Sequence, residues 1–217
     1  MSYAESLKSG CSARARGASD ADIAQLFSLA GSENREYREY ALVAGDGWPD
    51  VSFAPYLDTV SKLRLWYAST KVEDRQLELF KDCFLVAAEG DAADQYLLVN
   101  GGGVVSRWYD SERRTPVSSS VASLMATQVH AQLRLGRMRR LARFTVRVTL
   151  EEIVRRAGEL GCVMRGFSVH EHRYFSGPRV EVFVSPCDGV FECVVFSEFG
   201  FERARLVSVL RDGRAGE

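Results

Sequence analysis

The most constraining stretch of this chain is Gln95-Tyr96-Leu97-Leu98-Val99, then Asn100-Gly101-Gly102-Gly103, then Val104-Val105-Ser106-Arg107-Trp108-Tyr109. Two β-rich runs flank four residues that supply positive φ at little cost, so the backbone is expected to double back as a β-hairpin. The run Cys83-Phe84-Leu85-Val86-Ala87-Ala88, short, apolar and bounded by charge, suits a buried strand beside it. The same glycines are also the one tempting phosphate loop. A phosphate cradle needs a helix N-terminus after the glycines, however, and here a strand follows. Neither GxGxxG nor GxxxxGK[ST] occurs.

Helical signals precede the hairpin. Ser19 with Asp22 forms a capping box with a shorter acid; Ile23, Leu26, Phe27 and Ala30 share one face, and Gly31 stops the helix. A second helix is expected from about Glu33 to Ala44, with Tyr37, Tyr40, Ala41 and Ala44 at three-four spacing. It ends at Gly45-Asp46-Gly47-Trp48-Pro49, where proline forbids continuation. Tyr56–Val60 and Ser61–Ser69 read as either strand or helix, and Lys71–Lys81 as a loop or short helix. After the hairpin, Ser118-Ser119-Ser120 can cap a helix from about Val121 to Leu135.

The pattern then restarts. Phe144, Val146 and Val148 alternate with Thr145, Arg147 and Thr149, the period of a half-buried strand. Thr149 with Glu152 makes a capping box, Ile153, Val154, Ala157 and Leu160 form an apolar stripe, and Gly161 closes the helix. Strands are expected within Gly166–Tyr174, Arg179–Val184 and Val190–Phe196, joined by turns at Ser176-Gly177-Pro178 and Pro186-Cys187-Asp188-Gly189. The fold class is α+β. The organisation reads as a flexible N-terminal tail over residues 1–18, a domain over 19–135 and a smaller α+β extension of βαβββ type over 136–217.

Charge follows that division. The chain has 217 residues and a net charge of −1. Residues 1–135 carry 14 basic and 18 acidic side chains, a net of −4, whereas residues 136–217 carry 14 and 11, a net of +3. The overall balance gives no general drive toward nucleic acid or anionic membrane. No apolar run is long enough to span a bilayer. Cys11, Cys83, Cys162, Cys187 and Cys193 are odd in number and scattered, which suits reduced thiols better than a disulfide framework. With no apolar core of a secretory signal near the N-terminus, the expected location is the cytoplasm.

Chemical motifs are sparse. His170 and His172, at i and i+2 around Glu171, would share a strand face and could hold a metal. Their third ligand would have to be Cys187, Cys193 or a carboxylate, at no recognised zinc spacing, so ordinary histidines are the expectation there and for His130. No GxSxG elbow and no recognised cysteine motif is present. The expectation is no enzyme, no cofactor and no metal. Arg134, Arg137, Arg139, Arg140, Arg143 and Arg147 lack interleaved acids and would line a basic side of a helix ending near Leu141. That side suits a solvated face, an internal match to the acidic part, or a phosphate-binding surface. Glu73, Asp74, Glu78, Asp82, Glu89, Asp91 and Asp94 form a complementary acidic series, suited to solubility or to steering a basic partner. Trp48, Trp66 or Trp108 would be anchors there if exposed, and core residues otherwise.

Four pieces together resemble the SUKH superfamily, whose bacterial members are mostly immunity proteins of polymorphic toxin systems. Tyr37-Arg38-Glu39-Tyr40-Ala41-Leu42-Val43-Ala44-Gly45-Asp46-Gly47-Trp48-Pro49 resembles its first signature, a helix ending in a glycine-containing loop. Asp94–Asn100 resembles the central strand, Gly103–Glu112 the following aromatic-bearing strand, and Ser118–Met125 the terminal helix. The usual proline-bearing entry is replaced by Ser32-Glu33-Asn34-Arg35, and residues 136–217 have no counterpart. The resemblance implies a mixed sheet flanked by helices that binds a protein and does no chemistry. Scaffold positions carried over are Gly45, Gly47, Trp48, Trp108 and Ser120. The function implied is neutralisation of a cognate bacterial toxin by direct contact, with a basic effector domain as partner and neither membrane nor nucleic acid involved. Charge places the toxin-facing surface on the acidic series from Glu73 to Asp94, with Asp110 and Glu112. The alternative is a regulatory or scaffold module that binds another protein or nucleic acid through residues 134–147.

Overall fold

The computed structural model describes residues 2–51, 56–69, 83–89, 95–109, 113–167, 172–198 and 203–212. The chain forms two compact units that divide between Val129 and His130, six residues before the boundary expected from charge and pattern. The fold is α+β in both.

In the first unit the helices are α1 (Ser2–Leu7), α2 (Asp20–Ala30), α3 (Arg35–Ala44), α4 (Val60–Ser69) and α5 (Val121–Val129). The strands are β1 (Tyr56–Leu57), β2 (Cys83–Glu89), β3 (Gln95–Asn100), β4 (Val105–Tyr109) and β5 (Arg113–Ser118). They pair in the order β1-β2-β3-β4-β5, each pair antiparallel. The mixed sheet implied by the resemblance is therefore corrected to an antiparallel meander: every connection returns the chain to the neighbouring strand, which reverses its direction. The Asn100–Gly103 hairpin forms as expected. Asn100 Oδ1 accepts the Val104 N–H at 3.0 Å, and Gly103 sits at φ 82°.

Helix ends follow local chemistry. Ser19 caps α2 by accepting the Asp22 N–H at 3.1 Å. The cap of α3 is Asn34, one residue past the expected start, with its Oδ1 2.8 Å from Tyr37 N. Helix α5 is capped twice: Ser120 Oγ accepts the Ser123 N–H at 3.0 Å, and the Glu36 carboxylate of α3 accepts the Val121 N–H at 2.8 Å. The expected tail over residues 1–18 is corrected to a packed segment. Arg16 N donates to Gly47 O (2.8 Å), Asp46 N to Arg16 O (2.9 Å) and Ala18 N to Ala41 O (2.9 Å). Cys11 is fully buried, with its carbonyl 3.0 Å from the Trp48 indole nitrogen. Small residues permit this approach; a Cβ at Gly17 would stand 1.9 Å from Leu42 O.

The core of the first unit joins Ile23, Leu26 and Phe27 of α2, Tyr37 and Ala41 of α3, Leu63 of α4, Val121 and Leu124 of α5, and the buried faces of β2 to β4. Tyr37 lies at its centre, fully buried, with its ring centroid 4.6 Å from that of Phe84 and 6.4 Å from that of Phe27.

The second unit begins with a π-helical turn, His130–Arg134, and a 3₁₀ turn, Leu135–Arg137. It continues as β6 (Arg139–Val146), α6 (Leu150–Glu159), β7 (Val163–Met164), β8 (Arg173–Ser176), β9 (Val180–Cys187), β10 (Val190–Ser197) and α7 (Arg203–Asp212). The helix expected to reach Leu141 is corrected. Arg139–Val146 is a strand because β10 pairs with it along its length, a partner about fifty residues away that no local pattern reveals. The strand expected within 166–174 is met only at its end, where β8 begins at Arg173, and a short strand not expected, β7, precedes the window at Val163–Met164. Strand order is β6-β10-β9-β8-β7, all antiparallel, with Asp188 and Gly189 both at positive φ in the β9–β10 turn. One sheet face buries Val146, Phe175, Val182, Val184, Cys193 and Val195 with Ile153 and Ala157 of α6 and Leu210 of α7. Thr149 caps α6 at 3.3 Å from Glu152 N, while the Glu152 carboxylate turns to Arg155 and Arg156, which hold its pKa at about 2.

Among the described residues the Tyr37 hydroxyl has no hydrogen-bond partner, and burial pushes its pKa well above the usual phenol value. A buried hydroxyl without a partner costs about 1–3 kcal/mol. Tyr37→Phe is therefore expected to leave stability in urea unchanged or raise it by about 1 kcal/mol. Tyr37→Ala, which empties the ring site, is expected to lower it by about 3–5 kcal/mol.

Candidate functional site

The first unit carries an apolar groove of about 380 Å³ between α1, α3 and α5. Its position follows from helix periodicity. Tyr37 and Ala41 turn one face of α3 into the core, which leaves Tyr40, Val43 and Ala44 along the groove. Val121 and Leu124 do the same for α5, leaving Ala122, Met125 and Ala126 along the groove. Helix α1 contributes Tyr3 and buried Ala4. The Glu5 carboxylate holds α1 in place by accepting the Gly10 N–H at 2.5 Å and the Ser12 N–H at 3.1 Å, and these bonds lower its pKa. Trp48 lies at the floor and Glu36 and Glu39 also line the groove.

The scaffold positions fall around this feature. Gly45 ends α3 where a Cβ would stand 2.5 Å from Ala41 O and 2.9 Å from the Val60 methyl Cγ2. Gly47 takes φ 121°, a conformation that side chains resist. Trp48 is buried in the groove floor, and Ser120 caps α5. Trp108 lies opposite Tyr96 and Arg114 in the sheet and packs half-buried on the core. Trp66 is buried and meets Tyr67 and Tyr96 edge-on. Of the acidic series, Glu73, Asp74, Glu78, Asp82, Asp91, Asp94, Asp110 and Glu112 lie outside the described residues, as does the segment 71–81. Glu89 ends β2 with its backbone opposite Tyr56.

His170 lies outside the described residues. His172 packs on Phe183 at 5.2 Å between centroids. Among the described residues no group of three or more histidine, cysteine, aspartate or glutamate side chains is placed to hold a metal ion.

The second unit holds a cluster that sequence patterns did not single out. Glu181 on β9 is 1% exposed. Its Oε1 accepts from Arg134 Nε at 3.0 Å, its Oε2 accepts from Ser176 Oγ at 2.6 Å, and His130 Nε2 lies 3.2 Å from Oε2. Burial by itself would raise the Glu181 pKa, but the bonds from His130, Ser176 and Arg134 outweigh it and hold the carboxyl below its usual range. Arg134 also reaches Glu198 at 2.8 Å and the Gly177 and Pro178 carbonyls. The His130 ring lies against Phe167 and Tyr174. The π-helical turn supplies both His130 and Arg134, four residues apart. Such turns re-aim side chains within helical backbone.

Arg134 is thus matched internally, within its own unit. Arg143 pairs with Glu192 at 2.7 Å, whereas Arg139, Arg140 and Arg147 are exposed. One arginine outside the expected series also matters: Arg156, buried on α6, donates from Nη1 to the Leu210 and Arg211 carbonyls at 2.8 and 2.9 Å. It places a cation at the carbonyl end of α7, where the helix dipole favours one. The alternation Val180-Glu181-Val182 was the one available sign of Glu181: it sets a carboxylate on the sheet face opposite the valines.

Comparison with protein-family models, with curated proteins and with solved structures found no match to this chain. Among the described residues no helix is long and apolar enough to cross a membrane.

Loss of the Glu181 charge removes the buried one of the two carboxylates that hold the half-buried Arg134 guanidinium and weakens the bonds from Ser176 and His130. Glu181→Gln is expected to cost about 3 kcal/mol, measured by urea unfolding of the whole chain at neutral pH. Because the folded-state pKa is depressed, the stabilisation is present above the unfolded value of about 4 and lost as pH falls through the folded pKa. The wild-type protein should therefore lose more stability on acidification below about pH 4 than Glu181→Gln does.

Proposed function

We propose that the chain is an immunity protein: it binds a cognate bacterial toxin in the cytoplasm and neutralises it by direct contact, without catalysis. The observation that carries this reading is the way the four SUKH-like pieces come together. All four contribute to one core through Tyr37 and Ala41, Leu97 to Val99, Val105 and Trp108, and Val121 and Leu124. The first and fourth then line the same groove, through Tyr40, Val43, Ala44 and Trp48 on one side and Val121, Ala122 and Met125 on the other. Aromatic and methionine side chains over an apolar floor suit protein anchors, since they bury large area at small entropic cost.

Electrostatics supports a basic effector domain as partner. Residues 1–129 carry 13 basic and 18 acidic side chains, a net of −5. A field of that sign speeds the approach of a cationic partner, while the apolar groove would supply much of the residence time. The thiols suit a reducing compartment: all five are unbridged, and four of them are buried.

The test is a search of the neighbouring genes for a large secreted protein with a toxic C-terminal domain, followed by co-expression of the chain with that domain. Rescue of growth and a stoichiometric complex on purification are expected; a protein that neither binds nor protects would refute the reading. Ala122→Arg with Val43→Arg places two charges in the groove at exposed or partly exposed positions. The pair is expected to weaken the complex at least about tenfold and to leave the melting temperature nearly unchanged.

A further inference from the structure

The second sheet ends on β6, and β6 is paired on one side only, to β10. Along its outer side, alternate N–H and C=O groups of an eight-residue strand have no backbone partner among the described residues. A break in register between Val195 and Phe196 alters what this edge displays. Val194 lies opposite Arg143 and Val195 opposite Ala142, but Phe196 lies opposite Arg140, so Leu141 is the extra residue of a bulge. Without it, Arg140 would point with Ala142 and Val195 toward the core. With it, Arg140 joins Arg143 on the sheet face away from α6 and α7, and Thr145 and Arg147 follow at the two-residue repeat. Arg140, Arg143 and Arg147 are all exposed. Among the described residues Arg140 and Arg147 meet no carboxylate, and Arg143 stays 62% exposed beside Glu192.

We infer that the outer edge of β6 is a docking site for an acidic extended peptide segment, which adds to the second sheet as a further strand. Two independent features select this occupant. The unpartnered backbone edge asks for another backbone, which a peptide strand provides and a sugar-phosphate chain does not. The arginine line asks for negative charge on one face: side chains on one face of an added strand repeat about every 6.8 Å, so alternating carboxylates fall beside Arg140 and Arg143 and, one step past Thr145, beside Arg147. The same line disfavours a second copy of this edge, because pairing β6 with β6 sets arginine against arginine. The site lies in the second unit and does not depend on the toxin reading of the first.

The test uses the full-length chain and a fluorescein-labelled peptide of about ten residues alternating glutamate and valine. Binding that weakens with added salt is expected, together with slower hydrogen exchange of amides in Arg139–Val146. Arg140→Glu with Arg147→Glu is expected to weaken binding about tenfold, and a lysine-valine peptide should not bind. Methylation of alternate peptide nitrogens removes the strand hydrogen bonds and leaves the charge, and it is expected to abolish binding. Equal binding of the methylated peptide would overturn strand addition. Tighter binding of an oligothymidylate of similar length would overturn the choice of a peptide. No binding at millimolar peptide, or exchange protection elsewhere, would overturn the site.

Discussion

Close approach of backbone to backbone around the end of α3 holds the first unit together. Residues 16–18 bond to Ala41, Asp46 and Gly47, and Val60 N donates to Gly45 O at 2.7 Å. Four segments thus meet where two glycines, Gly17 and Gly45, leave no room for a Cβ. The direction in which the chain leaves α3, the start of α4 and the seat of the N-terminal segment all depend on that contact. The groove lies beside it, where Cys11 O meets the Trp48 indole and Glu5 of α1 accepts from Gly10 and Ser12. Glu36 extends the same logic to the other wall by capping α5 from a distance of 85 positions in sequence.

The second unit is organised by a different constraint, a carboxylate that must not be left alone. An ionised group in a low-dielectric interior is tolerated only when its oxygens are occupied by donors. Glu181 meets that demand with three side chains from two regions: His130 and Arg134 from the π-helical turn and Ser176 from the adjacent strand. Arg156 poses the mirror problem, a buried cation, and resolves it on the Glu152 carboxylate and the last carbonyls of α7. Both groups therefore fix the position of helical backbone relative to the sheet, in addition to whatever energy they contribute.

What could be read from the sequence was what neighbouring residues decide. Ser19 and Thr149 cap their helices, Gly31 and Gly161 end theirs at positive φ, and both hairpin turns form where glycine permits them. Errors fell where a remote partner decides. Arg139 to Leu141 belong to a strand because β10 lies beside them; the residues themselves carry little β signal. The N-terminal segment looked like a tail because its apolar content is low, yet its order rests on backbone bonds that any small residues can make. The groove was half legible, since Tyr40 and Ala44 stood out as a helical stripe while the contribution of α1 did not. Glu181 was nearly invisible, because one glutamate in a strand looks the same whether it faces water or an arginine.

The buried carboxylate also constrains how this chain can change over generations. A substitution at Glu181, Arg134 or Ser176 alone breaks a bond to a buried carboxylate and leaves the rest of the set poorly matched, and selection would remove many such variants. Viable drift requires the members to be exchanged together, for instance for an apolar set of similar volume. Positions 130, 134, 176 and 181 should therefore behave as one inherited character across descendants of this protein, whereas positions 43 and 122, exposed along the groove, can vary one at a time at little cost to the fold.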